Sequence, residues 1–320
     1  MKRALMFLLA LFPALVAAQS YPNRPLRMIV PFAPGGASDF VGRILQPRMS
    51  ELLGQQVIVE NRGGAAGNIG VEAGARSAPD GYAFVLGNIG SIAINPAVFP
   101  NLSVTPTRDL IAVTQVVDVP SALVAHPSFP PNNIKELIDF ARANPGKLNY
   151  ASPGSGSQNR LEMEVLRKLA NLDMVHVPYK GGAGPAVGGL VAGETHLMFV
   201  TASSALGHVR AGRLKILSVS TPTRMEQFPQ AATTTEQGFP ELRASSWQGV
   251  FLPAGTPKDI VERLFTVAQQ TMATPEVVQR LANGGVIVAT SAAPAAFAEF
   301  VAAETQRWGK VVKEAGATPD

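Results

Sequence analysis

Two loops rich in glycine and serine carry residue types that could hold a small anion. They are Pro34-Gly35-Gly36-Ala37-Ser38-Asp39 and Ser152-Pro153-Gly154-Ser155-Gly156-Ser157. Each follows a short apolar run, 26–32 and 148–151, and leads into a helical pattern. The first backbone N–H groups of a helix have no intrahelical partner, and they sit at the positive end of its dipole. Glycine lets an anion approach them closely. The chemistry expected of such loops is non-covalent capture of a carboxylate- or phosphate-sized group. The plain alternative is an ordinary βα turn whose Ser38 or Asp39 only caps its helix.

The elements that must position these loops follow from periodicity. Strands are expected at 26–32, 56–60 and 82–86, with helices at 38–53 and 69–76 between them. This β-α-β-α-β order argues for a parallel sheet with right-handed crossovers. A β-rich stretch follows at 110–117 and 121–125, broken at Pro120, and then an amphipathic helix at 133–144. The pattern then repeats: strands at 148–151, 174–178, 196–200 and 214–220, with helices at 161–170, 185–192 and 203–211. The apolar segment 247–252 returns the chain, and the remainder reads as helical apart from a short strand at 286–288.

The expected fold class is therefore α/β with two lobes. One lobe comprises 19–122 plus 250–320, and the other 123–249. Ligands of parallel α/β sheets bind outside the carboxyl ends of the strands. Five loops fall there: 34–39, 61–68, 87–91, 152–157 and 179–182.

The amino terminus reads Met1-Lys2-Arg3, then an apolar run, then Val16-Ala17-Ala18-Gln19. This is the pattern of a cleavable signal peptide over 1–18, and it predicts a periplasmic protein. Removing Lys2 and Arg3 lowers the formal charge from +4 to +2. With no basic cluster and no aromatic–basic platform, nucleic-acid binding is disfavoured. The absence of cysteine rules out a disulfide scaffold, thiol catalysis and Cys-ligated metal.

An enzyme acting on a carboxylate is the competing class. The sequence lacks Gly-x-Ser-x-Gly, the zinc-protease His-Glu pair and the phosphate-loop Gly-Lys-Ser/Thr pattern. The four histidines, His126, His176, His196 and His208, are scattered. No catalytic residue, metal site or cofactor is expected, and Ser155 and Ser157 read as hydrogen-bond donors.

The motifs, taken in order, resemble the Bug proteins, the exported solute-binding components of tripartite tricarboxylate transport systems. The resemblance rests on Tyr21-Pro22, the 31–39 loop, Val59-Glu60-Asn61-Arg62-Gly63-Gly64-Ala65 and Pro79-Asp80-Gly81-Tyr82. It continues through Asn144-Pro145-Gly146-Lys147-Leu148, the 152–157 loop and Val177-Pro178-Tyr179-Lys180-Gly181-Gly182. It closes with Pro253-Ala254-Gly255-Thr256-Pro257 and Trp308-Gly309-Lys310-Val311-Val312.

The resemblance implies a type II periplasmic-binding-protein fold, two Rossmann-like lobes that close on a ligand in the cleft between them. It implies a small carboxylate ligand and, as partners, the membrane subunits of a tripartite tricarboxylate transporter. A monomer is expected; a partner that reads the closed lobes for signalling is the alternative to transport. Carried over by position, Phe32, Gly35, Gly36, Ser38 and Asp39 form one end of the site, with Ser91 on a neighbouring loop. Ser155, Gly156 and Ser157 receive the ligand from the other lobe, and Tyr179 and Thr201 complete the wall.

Two positions depart from the family pattern: Arg160 stands where His is usual, and Val200-Thr201 where Asp often begins a loop. Arg160 would grip a carboxylate bidentately if it faced the cleft; otherwise it is a solvated helix residue. Both departures favour a di- or tricarboxylate, or an aromatic carboxylate, over an amino acid.

Overall fold

The structure is a computed structural model that describes residues 21–179, 182–242 and 244–319. The expected signal peptide lies outside the described residues, as do Lys180 and Gly181 of the 179–182 loop.

The chain opens with β1 (Leu26–Val30), α1 (Ala37–Leu53), β2 (Val57–Asn61), α2 (Asn68–Ala75) and β3 (Ala83–Asn88). Strand β1 lies between β2 and β3 and is parallel to both. The near-continuous apolar run of β1 is explained by burial on both faces. Met28 and Val30 pack with Val41, Leu45 and Met49 of α1, while Ile29 enters the cluster on the opposite face.

The proline-rich passage that follows contains two short helices, α3 (Asn95–Val98) and α4 (Pro106–Asp109). A π-helical turn (Gly90–Ile94) precedes α3. Strand β4 (Leu110–Ala125) then runs without interruption through Pro120, where the sequence predicts a break. Proline cannot donate to a ladder, and Pro120 stands where the pairing changes hands. Up to Pro120, β4 pairs with β9 (Ser245–Pro253); from Ser121 it pairs with β7 (Leu197–Thr201).

The second half contains α5 (Ile134–Ala143), β5 (Leu148–Ser152), α6 (Gln158–Ala170), β6 (Met174–Pro178), α7 (Ala183–Val191), α8 (Ala202–Arg210) and β8 (Lys215–Val219). Alternation sorts its core: Leu123, Ala125, Leu197 and Phe199 face one way, and Ala122, Val124, Met198 and Val200 the other. Strand β9 returns the chain between β3 and β4, antiparallel to both. Helices α9 (Lys258–Met272), α10 (Pro275–Asn283) and α11 (Pro294–Ala315) follow, with the short β10 (Ile287–Val288) against β4. The order β2-β1-β3-β9-β4-β7-β5-β6 makes β4 the strand shared by both halves.

The chain crosses between the halves at Pro120/Ser121 and again just before Ser245. Ser220 ties the crossings together: its hydroxyl donates to the Ala244 carbonyl at 2.7 Å and accepts from the Ser121 N–H at 3.0 Å.

Candidate functional site

A cavity lies where the carboxyl-end loops of both halves meet. The space within it, part of it open to solvent, is about 570 Å³. One wall is formed by Phe32, Gly36, Ala37 and Ser38, with Asn88, Ile89 and Gly90 at the carboxyl end of β3 and Ala66 of the 61–68 loop. The other is formed by Pro153, Gly156, Ser157, Gln158 and Asn159, with Ala183 and Thr201, and Ser246 of β9 stands at the crossing.

Four helix N-termini converge here. Gly36 is the N-cap of α1, Ser157 of α6, Gly182 of α7 and Thr201 of α8. The first α1 bond is Phe40 N–H to the Gly36 carbonyl at 3.0 Å, which leaves the earlier N–H groups of that turn without intrahelical acceptors. None of the described residues lining the cavity carries a formal charge. What it offers an anion is the partial positive charge of helix ends and amide donors.

Six of the expected site residues line the cavity: Phe32, Gly36, Ser38, Gly156, Ser157 and Thr201. Gly36 approaches Ala183 so closely that a Cβ on it would stand 3.8 Å from that methyl group. Ser157 caps its helix, its hydroxyl accepting the Arg160 N–H at 3.3 Å.

The other six do not line the cavity. Gly35 adopts φ +89° and donates its N–H to Asp39 Oδ2 at 3.1 Å. Asp39 also receives Arg43 Nε at 3.0 Å on both oxygens. Burial acts to raise the Asp39 pKa, but the bonds from Arg43, Gly35 and Asn61 outweigh it and hold the carboxyl below its usual range. Asp39 thus supports the first loop and borders an outer groove with Arg43 and Arg280. The Ser91 hydroxyl and N–H both bond Asn88, so Ser91 shapes the loop that presents Asn88. Ser155 is buried within the 152–157 loop. The Tyr179 hydroxyl donates to Glu194 at 2.6 Å, and burial with that bond pushes it up to about 12.

Arg160 requires a correction: neither the cleft-facing nor the solvated reading describes it. It is 9% exposed, and its Nη1 donates to the Thr318 carbonyl at 2.8 Å, with Glu164 nearby. A helix turn of about 100° per residue separates it from Gln158, and the carboxyl-terminal segment supplies its acceptor.

Asn88, Gln158, Asn159 and Ser246 line the cavity without having been expected there. Asn88 reaches Ser38 Oγ with its Nδ2 at 3.4 Å. Asn88 lies within the 87–91 loop, and Gln158 and Asn159 follow directly on an N-cap serine, so a local signal existed for all three. Ser246 is brought in by the return strand, and no local signal marks it.

Comparison with known proteins decides the family. A profile described as tripartite tricarboxylate transporter family receptor matches residues 41–317. The chain belongs to this family. It is 36% identical to protein BugT of Bordetella pertussis, covering 94% of this chain and 92% of BugT. MatC from Rhodopseudomonas palustris, solved with bound malate, superimposes with a TM-score of 0.86 at 32% identity, covering 91% of this chain and all of MatC. The R. palustris protein Rpa4515, solved with adipate, gives 0.89 at 31% identity, covering 93% and 99% of the two chains. The fold of this receptor is accordingly that of the periplasmic binding proteins.

Proposed function

We propose that this receptor binds a small dicarboxylate in the cavity between its two halves and delivers it to tripartite-tricarboxylate-type membrane subunits. The observation that carries this reading is the convergence of the α1, α6, α7 and α8 N-termini on a cavity whose described lining bears no formal charge. Such a site suits an anion whose charge is met by backbone dipoles. The malate of MatC and the adipate of Rpa4515 are ligands of this chemistry.

In this reading one carboxylate meets the Gly36-Ala37-Ser38 turn with Asn88, and the other end meets Ser157, Gln158 and Thr201. No covalent step is involved, and the protein is not an enzyme. The halves, 19–122 plus 250–320 and 123–249, act as lobes that hinge at the two crossings. Closure follows because the ligand binds the closed arrangement better than the open one. Residues 1–18 direct export to the periplasm, where the receptor acts as a monomer.

A thermal-shift screen of malate, adipate, citrate, benzoate, glutamate, inorganic phosphate and glucose tests the reading. A dicarboxylate at 100 times its Kd stabilises by about 2.7 kcal/mol. Stabilisation by phosphate or glucose with no response to any carboxylate would refute it.

A further inference from the structure

Behind the α6 wall lies a carboxyl group that the binding scheme does not use. Glu162 is 3% exposed, one helical turn below the cavity-lining Gln158 and Asn159. Asn159 Nδ2 donates to Glu162 Oε2 at 3.2 Å and to Ser121 Oγ at 3.1 Å. Gln158 Nε2 reaches the same Ser121 hydroxyl at 3.4 Å. Ser121 is the first β4 residue past the crossing. One polar cluster therefore joins the cavity wall, the hinge and a buried acid.

The cluster is short of one proton. Glu162 Oε1 and Gln158 Oε1 are both buried acceptors without a hydrogen-bond partner. They lie four residues apart on one helix face, so a proton on Glu162 would supply the missing donor.

The charged and titratable groups of the surrounding elements are paired elsewhere or exposed, among them Glu304 of α11, which pairs with Arg307, and the exposed Lys310 and Lys313 of the same helix. On α6, Arg160 bonds the Thr318 carbonyl, Arg167 pairs with Glu164, and Lys168 reaches the Glu314 carbonyl of α11. Tyr150 of β5 donates to Glu164 and stacks on His176 of β6. Asp118 of β4 accepts from Ser245, and Glu241 of the turn at Pro240–Leu242 is exposed. Strand β7 carries no charged residue. Among the described residues no cation pairs with Glu162. A carboxyl buried in this way is driven to its neutral form. Burial pushes it up to about 8, against the opposing bonds from Ser121, Asn159 and Gln158.

We propose that Glu162 is a positioning residue that keeps its proton at neutral pH, fixes the Gln158 and Asn159 carboxamides on the cavity wall, and so links anion binding to proton uptake. The linkage rests on the carboxylate reading above. An anion at the α6 N-terminus disfavours a second negative charge at Glu162, and by reciprocity an ionised Glu162 weakens the anion.

Carbon-13 NMR of glutamate-labelled full-length protein, with no ligand added, tests the proton. One carboxyl resonance, missing in Glu162→Gln, is expected to titrate near pH 8. The Gln158 and Asn159 side-chain amide signals are expected to move with that midpoint in the wild type and to stay fixed in the variant. A midpoint near pH 4 to 5, the ordinary glutamate range, would overturn the proposal, as would carboxamide signals indifferent to the titration.

Calorimetry with malate and adipate, in buffers of unequal ionisation heat, tests the linkage. Proton uptake at pH 9 and an affinity about fivefold or more weaker than at pH 7 are expected in the wild type and not in Glu162→Gln. Equal linkage in both proteins would overturn it. If neither dicarboxylate binds, the carboxylate reading and the linkage fail together, while the NMR titration still decides the state of Glu162.

Discussion

Gly156 and Asn95 meet across the cavity rim with no room for a methyl group between them. A Cβ on Gly156 would stand 1.5 Å from Asn95 Oδ1. Asn95 cannot easily withdraw, because its Nδ2 bonds the Ala66 carbonyl at 2.9 Å and Asn68 Oδ1 at 2.6 Å. Gly156 follows β5 and Asn95 opens α3, so the contact joins the two halves at the cavity. Gly184 makes a similar approach, where a Cβ would lie 2.8 Å from the Pro34 carbonyl.

Gly156→Ala is therefore expected to oppose closure more than folding. Overpacking of this kind costs about 1 to 3 kcal/mol, which corresponds to about 5- to 150-fold in affinity if the halves relieve the clash by separating. Titration calorimetry with a bound dicarboxylate and urea unfolding of the free protein separate the effects. A large loss of free-protein stability with unchanged affinity would contradict this.

Asn88→Ala and Ser38→Ala each remove a neutral donor from the α1 side of the cavity. A hydrogen bond to a charged group contributes about 1.5 to 3 kcal/mol, so each variant should bind a dicarboxylate at least about tenfold more weakly. Equal affinities in both variants and the wild type would move the site away from the α1 turn. Ser91→Ala should weaken binding less, because Ser91 acts only through the Asn88 loop.

Arg160→His should leave ligand preference unchanged, since the guanidinium is committed to the Thr318 carbonyl. Its cost appears in stability, at about 1 to 3 kcal/mol for the exposed or unsatisfied partners it leaves. A switch in preference between malate and glutamate, measured by thermal shift, would place the side chain in the cleft after all.

Asp39 and Glu162 shift in opposite directions, and their pH signatures differ accordingly. Asp39 is held low by Arg43 and the Gly35 N–H against the effect of burial. Its contribution is present above the ordinary aspartate pKa of about 4 and is lost as pH falls through the folded value. Urea unfolding of Asp39→Asn and wild type should thus differ at pH 7 and converge towards pH 2. Glu162 is held high by burial. Its contribution relative to Glu162→Gln is complete below about pH 4, declines as pH rises, and is gone above about pH 8. The same experiment run from pH 5 to 9 should show the wild type losing several kcal/mol against the variant. Parallel curves for the two proteins would be incompatible with a raised Glu162.

The α/β class, the order of most elements and the positions of the 34–39, 61–68, 87–91 and 152–157 loops were legible in the sequence. Each rests on short-range features: apolar period, Gly/Pro turns and N-cap residues, whose effect is decided within a few residues. The Gly36-Ala37-Ser38 turn and the Ser157 cap belong to this group. So does the threonine-rich turn at 233–238, where Thr233 and Glu236 bond one another reciprocally.

What only the tertiary structure decided concerns groups whose partners are distant in the chain. The uninterrupted β4 depends on β9, more than 100 residues later, to accept Pro120 at a change of partner. The direction of Arg160 depends on Thr318, and the lining role of Ser246 on the return strand. The neutrality of Glu162 follows from what surrounds it, since burial acts on the charged form only once the surrounding elements have closed over it. Local sequence determines where donors can be offered; three-dimensional packing determines which charges are left to meet a ligand.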